Sequence, residues 1–367
     1  MNKFIYVLSL FLLTSNELMI RNLSPFDNTF TLTESTSGRF LIDVCFGTPA
    51  QCFKLKISTS NNLSWIGDKS VIQGGFDSSK SSSFIERHIN ETLQEKATFV
   101  KGVLVEDTIK IGDYRINNFP FILSMTDEDL YEEYIGALSL GYRYHQPEYS
   151  LLANLFEEDF IQEESFYITY DKKKKNGSFI FGSLPDDEKN YIRTKSYKMK
   201  KCSLLPYKNE IDLNNRWECA LKGIYFHIPS QDAPVYLLID DRVSFNLSSN
   251  IFLVTKKMFD IFTYVFLGKY IDKEICRIVT HGYFNLIECD LSLKLNELGS
   301  INYIIGKYSV KFKGEALFKI DGSVYKSIIA KHTTLDTFIF GYDFFTKFNV
   351  FFNRKNDYIG WILKDNN

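Results

Sequence analysis

The chain has 367 residues, of which 45% are hydrophobic and 16% aromatic, and this is enough apolar surface to bury a sizeable core. Its formal net charge is only −2 at pH 7. A protein without an excess of basic residues lacks the positive surface that polyanions need, so the composition argues against a nucleic-acid partner.

The N-terminus has the three parts of a secretory signal peptide. Lys3 supplies a positive charge, residues 4–13 form a short apolar run, and residues 14–16 are polar. The run is too short to span a bilayer comfortably, and no later segment has the length of a transmembrane helix. We predict a signal peptide at residues 1–16 and a mature monomer that is secreted or held in a lumenal compartment, without a membrane anchor.

Most segments that follow predict β-strands. Apolar and polar residues alternate, as in residues 40–44 and 53–57, and β-branched and aromatic residues are frequent. Helical spacing is confined to residues 150–158 and to residues 255–267, where Thr255 is a predicted N-cap. The pattern predicts a mostly β protein with few short helices.

A weak internal repeat divides the chain into halves. Each half has a strand hairpin, a polar turn rich in Ser and Asn, and later an apolar stretch that ends in Gly. Residues 184–190 between the halves are polar and include Pro185, which makes them a candidate connection. We predict an N-terminal lobe at residues 26–184 and a C-terminal lobe at residues 185–364.

The six cysteines form an even set in a chain with a predicted signal peptide, and disulfides are therefore expected. No cysteine pair has the spacing of a zinc site and the five histidines are scattered, so we expect neither a metal nor a cofactor. The cysteines fall into three pairs that are close in sequence: Cys45 with Cys52, Cys202 with Cys219, and Cys276 with Cys289.

Several segments, in this order along the chain, resemble the landmarks of the pepsin-like aspartic proteases, the peptidase A1 family. They are the hairpin at residues 40–51 with its Gly-Thr-Pro-Ala-Gln turn, the strand and loop at 53–65, the strand at 102–109, the Gly-Ala-Leu-Ser-Leu-Gly segment at 136–141, the strand at 177–182 and the C-terminal block at 339–361. The resemblance covers almost the whole chain after the predicted signal peptide. It implies a bilobed, mostly β fold with two barrel-like lobes and a central cleft, and the Cys276–Cys289 pair resembles a bridge of that family.

The resemblance also implies where catalytic aspartates should lie, and the first is missing. In the family, two carboxylates share a proton, and each is presented by an Asp-Thr-Gly turn whose Thr braces the two loops. The apolar residues Ile57 before the turn and Trp65 after it fix the register of the first turn. This turn reads Ser58, Thr59, Ser60, so the Thr is kept and the carboxylate is replaced by a hydroxyl.

Two positions compete for the second turn. Asn246, Leu247 and Ser248 fit best, because an apolar strand precedes them and the predicted helix at Thr255 follows at the family's distance. The alternative turn begins with Asp240 and Asp241, after the strand at residues 235–239. It keeps one carboxylate but places the helix too far away.

Two further departures concern the flap and the leader. Residues 70–111 contain no Tyr, so the aromatic ring that closes over substrate in the family is absent, and Phe99 is the nearest aromatic residue. If the mature fold begins within residues 26–31, little chain is left for an inhibitory pro-segment. We expect a catalytically inactive pepsin-like protein whose cleft binds an extended peptide or protein by strand addition. The alternative is an aspartic endopeptidase in which Asp240 or Asp241 pairs with a carboxylate such as Asp43.

Overall fold

The computed structural model describes residues 29–95, 98–126, 133–141, 147–184, 199–205 and 217–364. These residues are mostly in β-strands, which confirms the predicted fold class. The first eleven strands are β1 Thr29–Glu34, β2 Phe40–Phe46, β3 Gln51–Ser58, β4 Ser64–Gly67, β5 Ile85–Glu95, β6 Thr98–Ile111, β7 Tyr114–Ser124, β8 Gly136–Ser139, β9 Ser165–Asp171, β10 Asn176–Phe181 and β11 Lys200–Ser203. The other twelve are β12 Glu218–His227, β13 Val235–Phe245, β14 Phe252–Leu253, β15 Cys276–His281, β16 Phe284–Asp290, β17 Ser300–Ile305, β18 Tyr308–Lys313, β19 Phe318–Asp321, β20 Val324–His332, β21 Phe338–Phe340, β22 Phe348–Asn353 and β23 Tyr358–Leu363.

The strands form two sheets. The first has the order β11-β23-β22-β9-β10-β1-β2-β3-β8-β4-β7-β6-β5, and the second has the order β15-β16-β20-β14-β21-β13-β12-β17-β18, with β19 beside β20. The last two strands of the chain therefore belong to the sheet of the first half. Val350 on β22 lies opposite Ile168 on β9, and this pairing extends the first sheet across the middle of the molecule.

In the described part of the chain, four short α-helices lie between the strands: α1 Leu151–Glu157, α2 Lys256–Asp260, α3 Gly268–Ile271 and α4 Tyr342–Lys347. The Ser150 hydroxyl caps α1 and the Thr255 hydroxyl caps α2, each accepting a hydrogen bond from a backbone N–H three residues later. A π-helical turn, Ile261–Phe266, continues α2. Both helical segments expected from the sequence are thus present.

Aromatic residues dominate the core where the two halves meet. Trp217 packs edge-on against Phe166 of β9 and Phe352 of β22, with ring centroids 5.7 and 5.1 Å away. The indole nitrogen of Trp217 also donates a hydrogen bond to the Leu140 carbonyl at 2.7 Å. One buried tryptophan from the second half therefore fastens the central strands of the first sheet.

All three predicted disulfides form. Cys45 and Cys52 are opposite each other on β2 and β3, and Cys276 and Cys289 are opposite each other on β15 and β16. The third bridge, Cys202–Cys219, joins β11 of the first sheet to β12 of the second.

Two predictions fall on segments that the structure does not describe. The signal peptide at residues 1–16 lies outside the described residues, and so does the start of the predicted C-terminal lobe at residue 185. Both remain predictions. Among the described residues, none of the helices has the length and hydropathy needed to cross a bilayer. The same residues contain no group of three His, Cys, Asp or Glu side chains that could hold a metal ion.

Candidate functional site

Two loops lie where the halves of the molecule meet, and each follows a strand that pairs in parallel with a second strand. The first loop, residues 58–60, begins at the end of β3, which pairs in parallel with β8. The second loop, residues 246–248, follows β13, which pairs in parallel with β21. Each loop is tied to its neighbouring strand, since the Leu140 N–H donates to the Ser58 carbonyl at 2.7 Å and the Asn246 N–H donates to the Phe340 carbonyl at 2.9 Å.

A glycine packs against the backbone of each loop region. A Cβ atom added to Gly141 would lie 2.3 Å from the carbonyl oxygen of Asn61, and one added to Gly341 would lie 2.4 Å from that of Ser249. These distances leave no room for any side chain. The two apolar stretches that end in glycine thus support the two loops in the same manner, which is the structural basis of the internal repeat.

Each loop is closed by its own first and third residues. In the first loop the hydroxyls of Ser58 and Ser60 are 2.7 Å apart, and the Ser60 N–H donates to the Ser58 hydroxyl at 3.3 Å. In the second loop the Asn246 side-chain oxygen accepts from the N–H of Ser248 at 2.8 Å and from its hydroxyl at 2.7 Å. A hydroxyl and an amide therefore close the two turns without a carboxylate.

Thr59 joins the two loops. Its hydroxyl donates to the Phe245 carbonyl at 2.8 Å and accepts from the Leu247 N–H at 3.0 Å. Thr59 and Leu247 are both fully buried. Leu247 has a hydrocarbon side chain and cannot return a side-chain hydrogen bond, so the brace is carried from the first loop alone. Residues 246–248, which the sequence matched to the second turn, lie against Thr59.

The other carboxylates considered from the sequence lie elsewhere. Asp240 is in β13, its side chain is 86% exposed, and it pairs with Lys222 at 2.7 Å. Asp241 accepts a hydrogen bond from the backbone N–H of the next residue. Asp43 is 76% exposed and pairs with Lys54 at 3.0 Å. None of the three takes part in the hydrogen bonds that close or join the loops.

β5 and β6 form a long antiparallel pair, and residues 96–97 between them lie outside the described residues. Phe99 on β6 is 46% exposed. Val100 and Leu104 of β6 pack on Trp65, which follows the first loop. The Trp65 indole N–H is buried and has no acceptor among the residues that the structure describes.

Lys56 is a site residue that the sequence pattern misplaced. The alternation in residues 53–57 predicts that Lys54 and Lys56 share an exposed face, yet Lys56 is fully buried. The reason is that the rings of Trp65 and Tyr134 cover the face of β3 that carries Lys56. The Lys56 ammonium group lies 5.2 Å from the Trp65 ring centroid and 5.7 Å from that of Tyr134, within the range of cation–π attraction.

Apart from Leu247, the side chains of the two loops are neutral hydrogen-bonding groups. Serine, threonine and asparagine side chains donate and accept hydrogen bonds but do not exchange a proton in the acid or neutral range. Since the Asn246 oxygen is occupied by two donors from Ser248, its amide nitrogen is the part of the side chain left to donate. The loops can hold an acceptor such as a peptide carbonyl.

Comparisons with known proteins agree with this geometry. A family model described as eukaryotic aspartyl protease matches residues 39–224, which are half of the chain. Renin of Echis ocellatus is 24% identical over 170 residues, covering 41% of this chain and 42% of that protein. Vacuolar protease A of Arthroderma otae is 24% identical over 115 residues, or 29% of each chain. The chain thus spans less than half the length of these curated relatives.

Among solved structures, the aspartic proteinase from Irpex lacteus has the same fold. The alignment covers 92% of this chain and 97% of that chain, with a TM-score of 0.69 and 14% sequence identity. The family model lies over the first loop, and the structural match extends over nearly the whole chain. The chain belongs to the eukaryotic aspartyl protease family.

Proposed function

We propose that this protein is a non-hydrolytic member of the family that binds an extended peptide or protein segment in the cleft between its lobes. The observation that carries the proposal is the pair of loops at residues 58–60 and 246–248. They are braced against each other by Thr59, yet they present hydroxyls and an amide where the family presents two carboxylates.

Hydrolysis by this family requires a carboxylate that activates water and a second carboxyl that donates a proton to the peptide carbonyl. The side chains of Ser58 and Asn246 cannot perform either step, because neither titrates between acid and neutral pH. The nearest candidates from the sequence, Asp240 and Asp43, are exposed and paired with lysines. These positions favour binding without cleavage.

Strand addition is supported by the position of β5 and by the loop donors. Among the described strands, β5 stands at the end of the first sheet and has β6 as its one neighbour. The backbone groups on its other edge are available to an extended segment. The Asn246 amide supplies a donor at the base of the cleft for a ligand carbonyl.

The test is to incubate the purified mature chain with a peptide library at acid and neutral pH, and to analyse captured peptides by mass spectrometry. We expect captured peptides to remain intact. Asn246→Leu removes the amide at nearly constant volume and should weaken capture about tenfold. Asn285→Leu, a change on β16 in the second sheet, is the matched control and should have no effect.

Cleavage of library peptides by the parent chain would contradict the proposal. If that cleavage were lost in Asp240→Asn or Asp241→Asn, the function would be that of an endopeptidase that uses a single remaining acid of the second half.

We also propose that the protein acts in the secretory pathway. The three disulfides require an oxidising compartment, and residues 1–16 have the charge and hydropathy of a signal peptide. Expression of the full chain in a secreting host, followed by N-terminal sequencing, should show that these residues are removed. A secreted or lumenal fraction that retains them would contradict this assignment.

A further inference from the structure

A second concave site lies away from the two loops. It is a cavity of about 760 Å³ bounded by β18, by the C-terminal part of α4 and by the end of β23. It shares no residue with the loops at 58–60 and 246–248. Its volume falls in the range of sites that bind small molecules, which is about 300–1,000 Å³.

The cavity carries an excess of positive charge. Its lining includes only two carboxyl groups, those of Glu315 and Asp343, and Asp343 is already paired with a lysine at 2.9 Å. Against them stand six lysines: Lys172, Lys200, Lys311, Lys313, Lys319 and Lys347.

The lysines of β18 are the clearest anion donors. Lys311 and Lys313 are exposed, and within the described part of the chain neither has an ion pair. Lys347 faces them from α4 and donates to the Lys311 carbonyl at 2.6 Å. Burial, together with the charges of Lys313 and Lys311, lowers the pKa of Lys347 to about 8. A bound anion would relieve the repulsion among these three ammonium groups.

The walls behind the lysines are apolar. Phe312 and Phe348 are almost fully buried, and the Lys347 ammonium group lies 4.6 and 5.9 Å from their ring centroids. Phe318 and Trp361 continue the apolar lining. Ala316 and Leu363 are exposed apolar residues of the same lining. A ligand with both an anionic group and a hydrocarbon body matches this division, because the lysines would pair with the first and these exposed apolar residues would cover the second.

We propose that this cavity binds a small amphiphilic anion, with a carboxylate or phosphate head held by Lys311, Lys313 and Lys347 and an apolar chain against Ala316 and Leu363. The concave shape separates this ligand from a polynucleotide, which would need an extended basic surface. Residues 365–367 follow β23 and include Asp365, so the chain itself could supply an anion to the same lysines.

The experiment measures binding of three probes with the same hydrocarbon chain, namely laurate, dodecyl phosphate and dodecanol, to the folded mature protein by titration calorimetry. We expect laurate or dodecyl phosphate to bind at least about tenfold more tightly than dodecanol, and the stronger of the two identifies the head group. Equal binding of dodecanol, or no binding of any probe, would overturn the proposal.

Two variants and one control test the location. The double variant Lys311→Gln with Lys313→Gln should weaken binding of the anionic probe by at least about tenfold. Ala316→Trp, at an exposed lining position, should block the cavity without changing its charge. The control removes two exposed lysines outside the lining, Lys257→Gln with Lys273→Gln, and should leave affinity unchanged.

Equal losses of affinity in the control and the β18 double variant would show that the probe responds to net charge alone, which contradicts a specific site.

A deletion of residues 365–367 is the last variant to be tested. If the probe binds only after this deletion, the natural occupant is the chain's own tail and the proposal of an external ligand fails. Unchanged binding after the deletion supports it.

Discussion

Thr59 has a disproportionate role among the residues of the candidate site. Its single hydroxyl makes two hydrogen bonds that cross to the second loop, one to the Phe245 carbonyl and one from the Leu247 N–H. The Leu247 side chain, which is hydrocarbon, contributes only packing to the same contact. The relation between the halves at this point therefore depends on one side chain, whereas a threonine on each loop would divide the task.

Replacing Thr59 by Val should destabilise the protein by about 2–4 kcal/mol. Valine has nearly the same shape, but it leaves the buried Phe245 carbonyl and Leu247 N–H without a partner, and each such group costs about 1–3 kcal/mol. Thr59→Ser, which keeps the hydroxyl, is the control and should retain most of the stability. Urea denaturation of both variants measures the difference in stability, and equal midpoints would show that the Thr59 hydroxyl does not brace the two loops.

The residues of the site could be predicted from sequence only where apolar neighbours fixed the register. Ile57 and Trp65 bracket the first loop, and the helix that begins after Thr255 fixes the distance to Asn246. Lys56 could not be predicted in the same way. Alternation identifies the two faces of a strand, but only the tertiary structure determines that Trp65 and Tyr134 cover the face on which Lys56 lies.

At the scale of elements, the support of the second loop depends on α4 beginning close to the loop backbone. Gly341 precedes α4, and the next residue, Tyr342, donates its N–H to the Ser249 carbonyl at 2.7 Å. Gly341 has an ordinary negative φ, so its small size is what the position requires. The helix and the loop are thus in direct backbone contact.

Gly341→Ala should therefore lower stability by about 1–3 kcal/mol, because the added methyl group would lie 2.4 Å from the carbonyl oxygens of Ser249 and Ile251 and would force them apart. Gly268→Ala is the matched control, since a Cβ there meets nothing within 4 Å. The melting temperatures of the two variants should separate. A Gly341→Ala protein as stable as the control would show that the loop backbone moves aside without loss of stability.

The alternating pattern predicted most strands but not their partners. The segments that became β2 and β3 are recognisable from their residues alone. The pairing of β22 with β9, and of β23 with β11, brings the C-terminal strands together with segments from the middle of the chain. Such pairings follow from topology, which local periodicity does not encode. The resemblance to a known family supplied this information, because it carries the fold as a whole.

At the scale of the whole molecule, only one disulfide joins the two sheets. Cys202–Cys219 connects β11 to β12, whereas Cys276–Cys289 staples neighbouring strands of the second sheet. The two bridges close loops of similar length, with sequence separations of 17 and 13. All four cysteines are buried. The second bridge is therefore a matched control for the first.

Chain entropy assigns each of these bridges about 3 kcal/mol, so the double variants Cys202→Ser with Cys219→Ser and Cys276→Ser with Cys289→Ser should lose similar stability. We expect only the first variant to unfold in two calorimetric transitions, since only it releases one sheet from the other. A single transition in both variants would mean that the aromatic contacts of Trp217 suffice to couple the halves.

The position of β22 in the first sheet has a consequence for the protein during its synthesis on the ribosome. Translation proceeds from the N-terminus, and β9 is complete long before Val350, the partner of Ile168, leaves the ribosome. During that interval β9 has a neighbour on one side only, and an open strand edge recruits strands from other chains. The nascent protein is therefore exposed to aggregation along an edge that the finished molecule has closed.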